Sequence, residues 1–578
     1  MSSHRSFASL LRPVAVAAIV SLLAGACGSS TVSPSVAAPS GSASVPSASA
    51  AAGRPPACAP DASTSPAEPA AWWGDRTFYE VFVRSFADSD GDGIGDLRGL
   101  IQKLDYLNDG NPATTTDLGV TALWLMPVAE SPSYHGYDVT DYKAIEKDYG
   151  TADDFRALMA AAHARGINVI VDLVLNHTSI DHPWFQDAQT PGSTHDDWYV
   201  WSTGAKPPFA GPGGNPVWHK SGNRWYYGYF WEGMPDLNLR NPDVTAALED
   251  VARFWLDDLG VDGFRLDAAR HLIEDGKTLA NTPETFAWLA AFRQGVHADE
   301  PDALVLGEDW DPTVISSRYV REGSLDMDFE FDFAGAIAGS IRSHDAGSYR
   351  AAEAEIQAGY PPGGFATFLS NHDQNRILTQ LGGDVPAAKL AATTLLTSPG
   401  VPFIYYGEEI GMTGAKPDER IRTPMRWDSA QPNAGFSMTT PWEALSDDPA
   451  ATSVAAESAD ANSLLATYRS LIQLRAAHPA LSRGNSTPVD TSSRAVNAYL
   501  RQADGETILV MANLGTEPVV SPALTLDAGP LCGTPATEAL LGANAVRPPS
   551  ITSTGGFEAY VPVDRLGPRE TLAIRLTP

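Results

Sequence analysis

From Trp72 to about residue 484, short apolar runs alternate with amphipathic stretches, and this alternation restricts the fold more than any other feature of the chain. The runs at Phe78–Val83, Ala122–Met126, Ile167–Leu173, Gly263–Leu266, Leu304–Leu306, Phe329–Phe333, Phe365–Leu369 and Val401–Tyr406 read as strands. Short, continuous apolar runs are the mark of parallel strands buried on both faces. Between them, Phe155, Leu158, Met159 and Ala162 recur at helical spacing before Gly166, and Leu248, Val251, Ala252, Trp255 and Leu259 do so before Gly260. Glycine after the last periodic residue is a helix stop. Leu464, Tyr468, Leu471, Ile472 and Arg475 outline a late covering helix. Eight strands alternating with helices predict an α/β fold, a (β/α)8 TIM barrel over residues 71–484. An open doubly wound sheet is the alternative, but no Gly-rich phosphate fingerprint follows the first strand.

Helical spacing vanishes between His177 and about Asn241, where Gly, Pro and aromatics dominate, including Trp184, Trp198, Trp201, Trp218, Trp225, Tyr226, Tyr227, Tyr229 and Trp231. A loop of this length predicts an inserted subdomain over residues 178–241, after the third strand. Its aromatics could stack on sugar rings, but for most of them the subdomain's own core is the favoured place. After residue 484 short strands at Ala495–Arg501, Thr507–Met511, Ala523–Asp527 and Leu572–Leu576 predict a C-terminal antiparallel β-sandwich over 485–578.

The first residues read as an address, not as fold. Arg5 and Arg12 precede an apolar run from Val14 to Ala26, and Leu23-Ala24-Gly25-Ala26-Cys27 resembles a lipoprotein-type signal (residues 1–26) with Cys27 as the lipidated residue. Export to the cell surface, or plain secretion, follows. Residues 27–70 are rich in Ala, Ser and Pro and read as a disordered tether. A formal net charge of −31 disfavours nucleic acid and anionic membrane surfaces, leaving the lipid as the route to a membrane. A monomer is expected. With Cys27 lipidated, Cys58 and Cys532 are left to pair in an oxidising compartment.

Three acids close three of the strands: Asp267 in Gly263-Phe264-Arg265-Leu266-Asp267, Glu308 in Gly307-Glu308-Asp309, and Asp373 in Asn371-His372-Asp373. In a parallel barrel the C-terminal strand ends face one mouth, where the chemistry of such folds is done. Glycosidic cleavage needs a proton donor and an anionic partner. Arg265 shares a strand face with Asp267 and can hold it ionised and aimed. Glu308 needs a raised pKa to carry a proton to the leaving oxygen. Asp373 can stabilise positive charge. Asp309 points to the opposite face and is structural.

These residues carry a resemblance to the α-amylase family of retaining glycoside hydrolases. Asp172-Leu173-Val174-Leu175-Asn176-His177, Gly263–His271, Gly307-Glu308 and Phe368–Asp373 are similar, in order, to the four segments by which that family is recognised. The resemblance implies Asp267 as nucleophile, Glu308 as acid/base and Asp373 as transition-state stabiliser. It implies that Tyr137, Asp138, His177, Arg265 and His372 contact the sugar at the cleavage point and that Arg376 reaches the next one. The Asp88-Ser89-Asp90-Gly91-Asp92-Gly93-Ile94-Gly95-Asp96 loop alternates acids with Gly in a pattern suited to Ca2+, without the EF-hand Glu. The family has a calcium loop here, implying Asp88, Asp90, Asp92, Asp96 and the Ile94 carbonyl as ligands. A second calcium, at Asn176, Asp236 and His271, is implied in the same way.

The local motifs divide over substrate. Met234-Pro235-Asp236-Leu237-Asn238 resembles a group between oligo-1,6-glucosidases and neopullulanases. Ala268 and Ala269 after the nucleophile resemble α-1,4-specific enzymes, whereas Arg422-Thr423-Pro424-Met425-Arg426-Trp427-Asp428 resembles the 1,6 group. The expected activity is α-amylase-type hydrolysis of α-1,4 bonds in α-glucans or malto-oligosaccharides. Action on short oligosaccharides or glycosyl transfer is the alternative within the family, and a non-catalytic glucan-binding protein the alternative outside it.

Overall fold

The computed structural model describes residues 71–542 and 545–578. The leader, Cys27, the tether and Cys58 lie outside the described residues. Eight parallel strands close a barrel: β1 (Phe78–Val81), β2 (Ala122–Leu125), β3 (Asn168–Leu173), β4 (Gly263–Leu266), β5 (Leu304–Gly307), β6 (Met327–Phe329), β7 (Phe365–Phe368) and β8 (Val401–Tyr405). They pair in sequence order around the ring, with β1 hydrogen-bonded to both β2 and β8. Period-two alternation sorts their side chains. Phe78, Trp124, Ile170, Leu304, Leu306, Met327, Phe329, Phe368 and Phe403 fill the interior, where Phe78 stacks on Phe403 at 4.3 Å between ring centroids. Tyr79, Val81, Leu123, Leu125, Val169, Val171, Phe264 and Leu266 face outward and join the core beneath the helices. Each large side chain buried there contributes about 1.5–3 kcal/mol.

One predicted strand is corrected. The run Phe329–Phe333 is divided: the strand ends at Phe329 and a helix spans Phe331–Ser343. Alternating Phe residues imitate a strand, but Phe331, Ala334, Ile337, Ala338 and Ile341 continue at helical spacing and bury one face.

The insertion contains a short helix, Pro183–Ala188, where sequence periodicity gave none, and a three-stranded sheet of Trp201–Thr203, Arg224–Tyr227 and Trp218–Ser221. Tyr199, Trp218, Tyr226 and Tyr227 are buried, and Phe185 stacks on Trp201. These aromatics are the subdomain's own core, whereas Phe230 and Trp231 are exposed. The insertion returns to the barrel through a bridge between His177 and Asp236 and a bond from the Leu237 amide to the Asn176 carbonyl (2.9 Å).

The C-terminal region folds as predicted into antiparallel sheets. One contains, in spatial order, Asn485–Pro488, Val496–Ala503, Glu506–Asn513, Thr571–Thr577 and Ala536–Leu541; another contains Asp490–Thr491, Leu524–Leu526 and Phe557–Tyr560. Val496, Leu509, Met511, Leu524, Phe557 and Ile574 lie in the core of this region. One buried arginine of this region, Arg501, joins it to the barrel, and a second, Arg475, sits beside it on the barrel's own helix Leu464–Ala477. Arg501 donates to the Thr397 carbonyl (2.6 Å), and Arg475 to the carbonyls of Leu396 (3.0 Å) and Gly400 (2.6 Å). They satisfy carbonyls at the C-terminus of the helix Val385–Thr397, where a cation is favoured. Cys532 is disulfide-bonded, and its partner lies outside the described residues. Among the described residues, no helix is long and apolar enough to cross a membrane.

Candidate active site

The site is organised by one guanidinium. Arg265 sits on β4 with its side chain inside the barrel, and the register places it beside Asp172 on β3 and Leu306 on β5. Its Nη1 donates to Asp172 (2.7 Å) and Asp267 (2.9 Å), and its Nη2 donates to Glu308 (2.5 Å). Two of the strand-end acids are thus drawn to one cation, as alternation along β4 predicts. The peptide after Asp267 turns sharply: Ala268 lies in the left-handed region at φ 49°, and its amide faces Glu308 at 3.4 Å. A non-glycine residue there costs of order 1–3 kcal/mol and persists because the surroundings hold it.

Three carboxyls around one cation cannot all ionise cheaply. Burial pushes Glu308 up to about 7, against the pull of Arg265. Burial likewise raises Asp172 to about 7 and raises Asp267. The cluster therefore shares a proton, as close carboxyls do. Asp373 is opposite in character. Burial opposes its ionisation, but His372, Arg422 and Lys416 outweigh this and hold it at about 2. Arg422 reaches its Oδ1 at 2.9 Å and Lys416 at 3.8 Å.

The other expected sugar contacts gather around these acids, with one exception. The Tyr137 hydroxyl lies 2.7 Å from His372 Nε2 and 3.1 Å from Asp172. Asp138 accepts from the Ser131 hydroxyl (2.7 Å). His177 Nε2 is 3.1 Å from the Tyr137 carbonyl, and burial holds its pKa down at about 4. Arg376 is the exception and is corrected: it is buried behind the site, donates to the Tyr406 carbonyl (2.6 Å) and lies over the Tyr405 and Tyr406 rings. Asp309 is fully buried on the far side of the strand end, as expected.

A family model for the α-amylase catalytic domain matches residues 80–484. The chain belongs to the α-amylase family. It is 41% identical over 449 residues to Alpha-amylase 3 of Dictyoglomus thermophilum, covering 77% of this chain and 85% of the relative. Trehalose synthase/amylase TreS of Mycobacterium tuberculosis is 35% identical over 520 residues, covering 79% and 84% of the two chains. Oligo-1,6-glucosidase of Halalkalibacterium halodurans is 31% identical over 516 residues, covering 76% and 90%. Among solved structures, the α-amylase from H. orenii superposes with a TM-score of 0.73 at 39% identity, covering 87% of this chain and 99% of that one. Family members of this kind are glycoside hydrolases, and this chain is a glycoside hydrolase of the α-amylase family.

Two places have the donor chemistry that the family's calcium sites need. In the loop from Asp88 to Asp96, ligand atoms of Asp88, Asp90 and Asp96 lie within 4.8 Å of one another. Asp92 is raised by burial and by the charges of Asp90 and Asp88. At the base of the insertion, the buried Asn176 Oδ1, Asp236 Oδ2, Glu274 Oε1 and Tyr227 hydroxyl gather with no cationic side chain among them, Glu274 against Asp236 and Tyr227, and Asn176 against Asp236. Oxygen donors left in this state fit a hard cation. The side chain of His271, the third expected ligand, is not among them. Its Nδ1 is 2.7 Å from the Leu279 carbonyl, its Nε2 accepts from Arg270 (3.0 Å), and its ring stacks on Tyr229. Glu274 stands against Asp236 instead. No sequence periodicity marks Glu274, because it lies in the irregular segment after β4.

Proposed function

We propose that the chain is a retaining hydrolase of α-1,4-linked glucans, with Asp267 as nucleophile, Glu308 as general acid/base and Asp373 as stabiliser of the oxocarbenium-like state. The observation that carries this reading is the contact of one buried guanidinium, Arg265, with both Asp267 and Glu308. It fixes a nucleophile and a proton donor side by side, the pairing that a retaining glycosidase needs. Glu308 protonates the glycosidic oxygen while Asp267 attacks the anomeric carbon. Water, activated by the now ionised Glu308, then releases the sugar from Asp267. Asp373, held ionised by Arg422 and Lys416, opposes the positive charge that develops on the ring.

Polymeric substrate is favoured by exposed aromatics around the acids. Trp310, two residues after Glu308, is 47% exposed and stacks on Phe331; Phe230, 42% exposed, stands edge-on to His177. Such rings offer platforms for sugars beyond the cleavage point. Calcium is the proposed cofactor, at the Asp88–Asp96 loop and at the Asn176–Asp236–Glu274 cluster. It would clamp the loop and join the insertion to the barrel, with no part in bond cleavage. An exported chain, anchored through Cys27 and acting as a monomer, suits a substrate too large to enter a cell.

A second reading, action on short oligosaccharides or glycosyl transfer, is favoured by one feature. Arg422, Lys416 and Asp418 crowd Asp373, with Arg422 bonded to both acids, and charged groups there suit the end of a short sugar. The deciding experiment is digestion of soluble starch by wild type and Glu308→Ala, scored for reducing ends and iodine colour. Colour lost ahead of reducing ends, and abolished by the substitution, supports internal α-1,4 cleavage. Reducing ends without colour loss, or turnover of panose and trehalose alone, supports the second reading.

A further inference from the structure

One carboxyl inside the barrel takes no part in the scheme above. β1 reads Phe78-Tyr79-Glu80-Val81, and Glu80 shares parity with Phe78, so it points inward. It is 2% exposed and lies in register with Trp124 on β2 and Tyr405 on β8. A carboxyl in such a place is costly unless it is paired. Its partner is His372: Glu80 Oε1 lies 2.6 Å from His372 Nδ1 and 3.3 Å from the backbone nitrogen of the same residue.

The ring of His372 is fixed on its other sides. Tyr137 stacks on it at 5.7 Å between centroids, and Trp124 meets it edge-on at 5.5 Å. Its Nε2 lies 2.7 Å from the Tyr137 hydroxyl and 3.4 Å from Asp373 Oδ2. What remains open is which nitrogen carries the proton. The backbone N–H of His372 settles the polarity of Glu80 Oε1, because an amide can only donate. That oxygen therefore accepts from the amide, and in the ionised carboxylate it accepts from Nδ1–H as well; burial pushes Glu80 well up, while the His372 amide and Arg265 favour its charged form.

We propose that Glu80 is a positioning residue for the reaction: it holds the His372 ring with the proton on Nδ1, so that Nε2 faces the cleft beside Asp373 as a hydrogen-bond acceptor. In the free site Nε2 lies against the Tyr137 hydroxyl, which also reaches Asp172 Oδ2 (3.1 Å); with substrate bound, a sugar hydroxyl can compete for the same lone pair. The opposite tautomer would present a donor to the Tyr137 hydroxyl and leave Glu80 Oε1 facing a lone pair. The choice matters because burial keeps this imidazole neutral, with Arg422, Arg265 and Lys416 opposing its protonation and Asp373 favouring it. The charges facing Glu80 are Arg265, which favours its ionised form, and Asp373 and Asp172, which oppose it.

The proposal rests on the reading of Asp267, Glu308 and Asp373 as the reacting carboxyls, but its main measurement does not. Protein labelled with 15N-histidine is compared as wild type, Glu80→Gln and Glu80→Leu, with the His372 signals identified by their loss in His372→Asn. Wild type is expected in the Nδ1–H form. Glu80→Gln is expected to keep that form and most of the wild-type kcat, because the His372 amide orients the glutamine carbonyl toward the ring. Glu80→Leu removes the acceptor, frees the ring, and is expected to lower kcat on malto-oligosaccharides about 100-fold with little change in KM. An Nε2–H form in wild type, or wild-type kcat in a folded Glu80→Leu, overturns the proposal. If Glu80→Leu does not fold, the wild-type and Glu80→Gln spectra decide it, and an Nε2–H form in either overturns it. Absence of turnover on any α-glucoside by wild type would defeat the reading of the acids, whereas the tautomer result would still stand.

Discussion

Replacing Arg265 by Met tests whether one cation holds the site together. Arg265 is buried, and its guanidinium faces Asp172, Asp267 and Glu308 at 2.5–2.9 Å. Removing one partner of a buried ion pair costs about 3–5 kcal/mol, because the remaining charge is left without compensation. That cost depends on pH. Glu308 and Asp172 stand at about 7 in the folded protein, above the ordinary carboxylate range near 4, and Arg265 already pulls both down. Without it they rise further. A carboxyl raised on folding leaves stability intact below its unfolded value and subtracts from it as pH rises through its folded value. In wild type this loss levels off above about pH 7; in the variant it continues to higher pH. At pH 5 Glu308 and Asp172 are largely protonated in both proteins, and a buried guanidinium facing two neutral acids contributes less. The expected result is a Tm drop of about 5–10 °C at pH 8.5 and under about 2 °C at pH 5, using roughly 2 °C per kcal/mol for a large domain. Thermal unfolding of both proteins at the two pH values is the assay. An equal drop at both, or a larger drop at pH 5, would refute the shared-proton account of the cluster.

Four further outcomes are expected. Glu308→Gln should lower starch turnover about 10²–10⁴-fold yet spare formation of the covalent intermediate from an α-maltosyl fluoride, whose leaving group needs no proton; equal loss on both substrates would remove Glu308 as the acid. Wild-type activity should fall as pH rises through about 7, where Glu308 loses its proton, and a rate constant from pH 6 to 9 would contradict this. Calcium removal should lower the Tm of wild type, and metal analysis of Glu274→Gln should show one calcium fewer than wild type; an unchanged count would exclude Glu274 as a ligand. Peptide mapping without reductant should link Cys532 to Cys58, whereas a link to Cys27 would defeat both that pairing and the lipid anchor.

What could be read from the sequence was whatever a strand dictates locally. Asp267 and Glu308 follow their strands directly and Asp373 follows its strand after four residues, so strand polarity brings them to one mouth. Arg265 was legible for the same reason, since parity puts it beside Asp267. The failures come where two local rules compete or where contact is set by the return of a distant loop. Phe329–Phe333 satisfied the strand period over a few residues and the helix period over more, and the longer pattern won. Arg376 has the chemistry of a sugar contact, but the packing of Tyr405 and Tyr406 over it decides its place. Glu274 and Lys416 lie in irregular segments, where no periodicity indicates a neighbour.

Glu80 is a different kind of omission. Its parity on β1 was legible, and an acid inside an apolar run is itself a signal, because burial penalises a carboxyl that has no partner. The partner was hidden, since His372 lies on a loop nearly three hundred positions later in the chain, at a sequence separation of 292. The same logic applies to Asp172, whose parity on β3 places it against Arg265. In a barrel interior, then, a lone polar residue among apolar neighbours is a demand for a partner at the mouth. For this chain, Asp172 on β3, Arg265 on β4 and Glu80 on β1 each find that partner within the same cluster of charges.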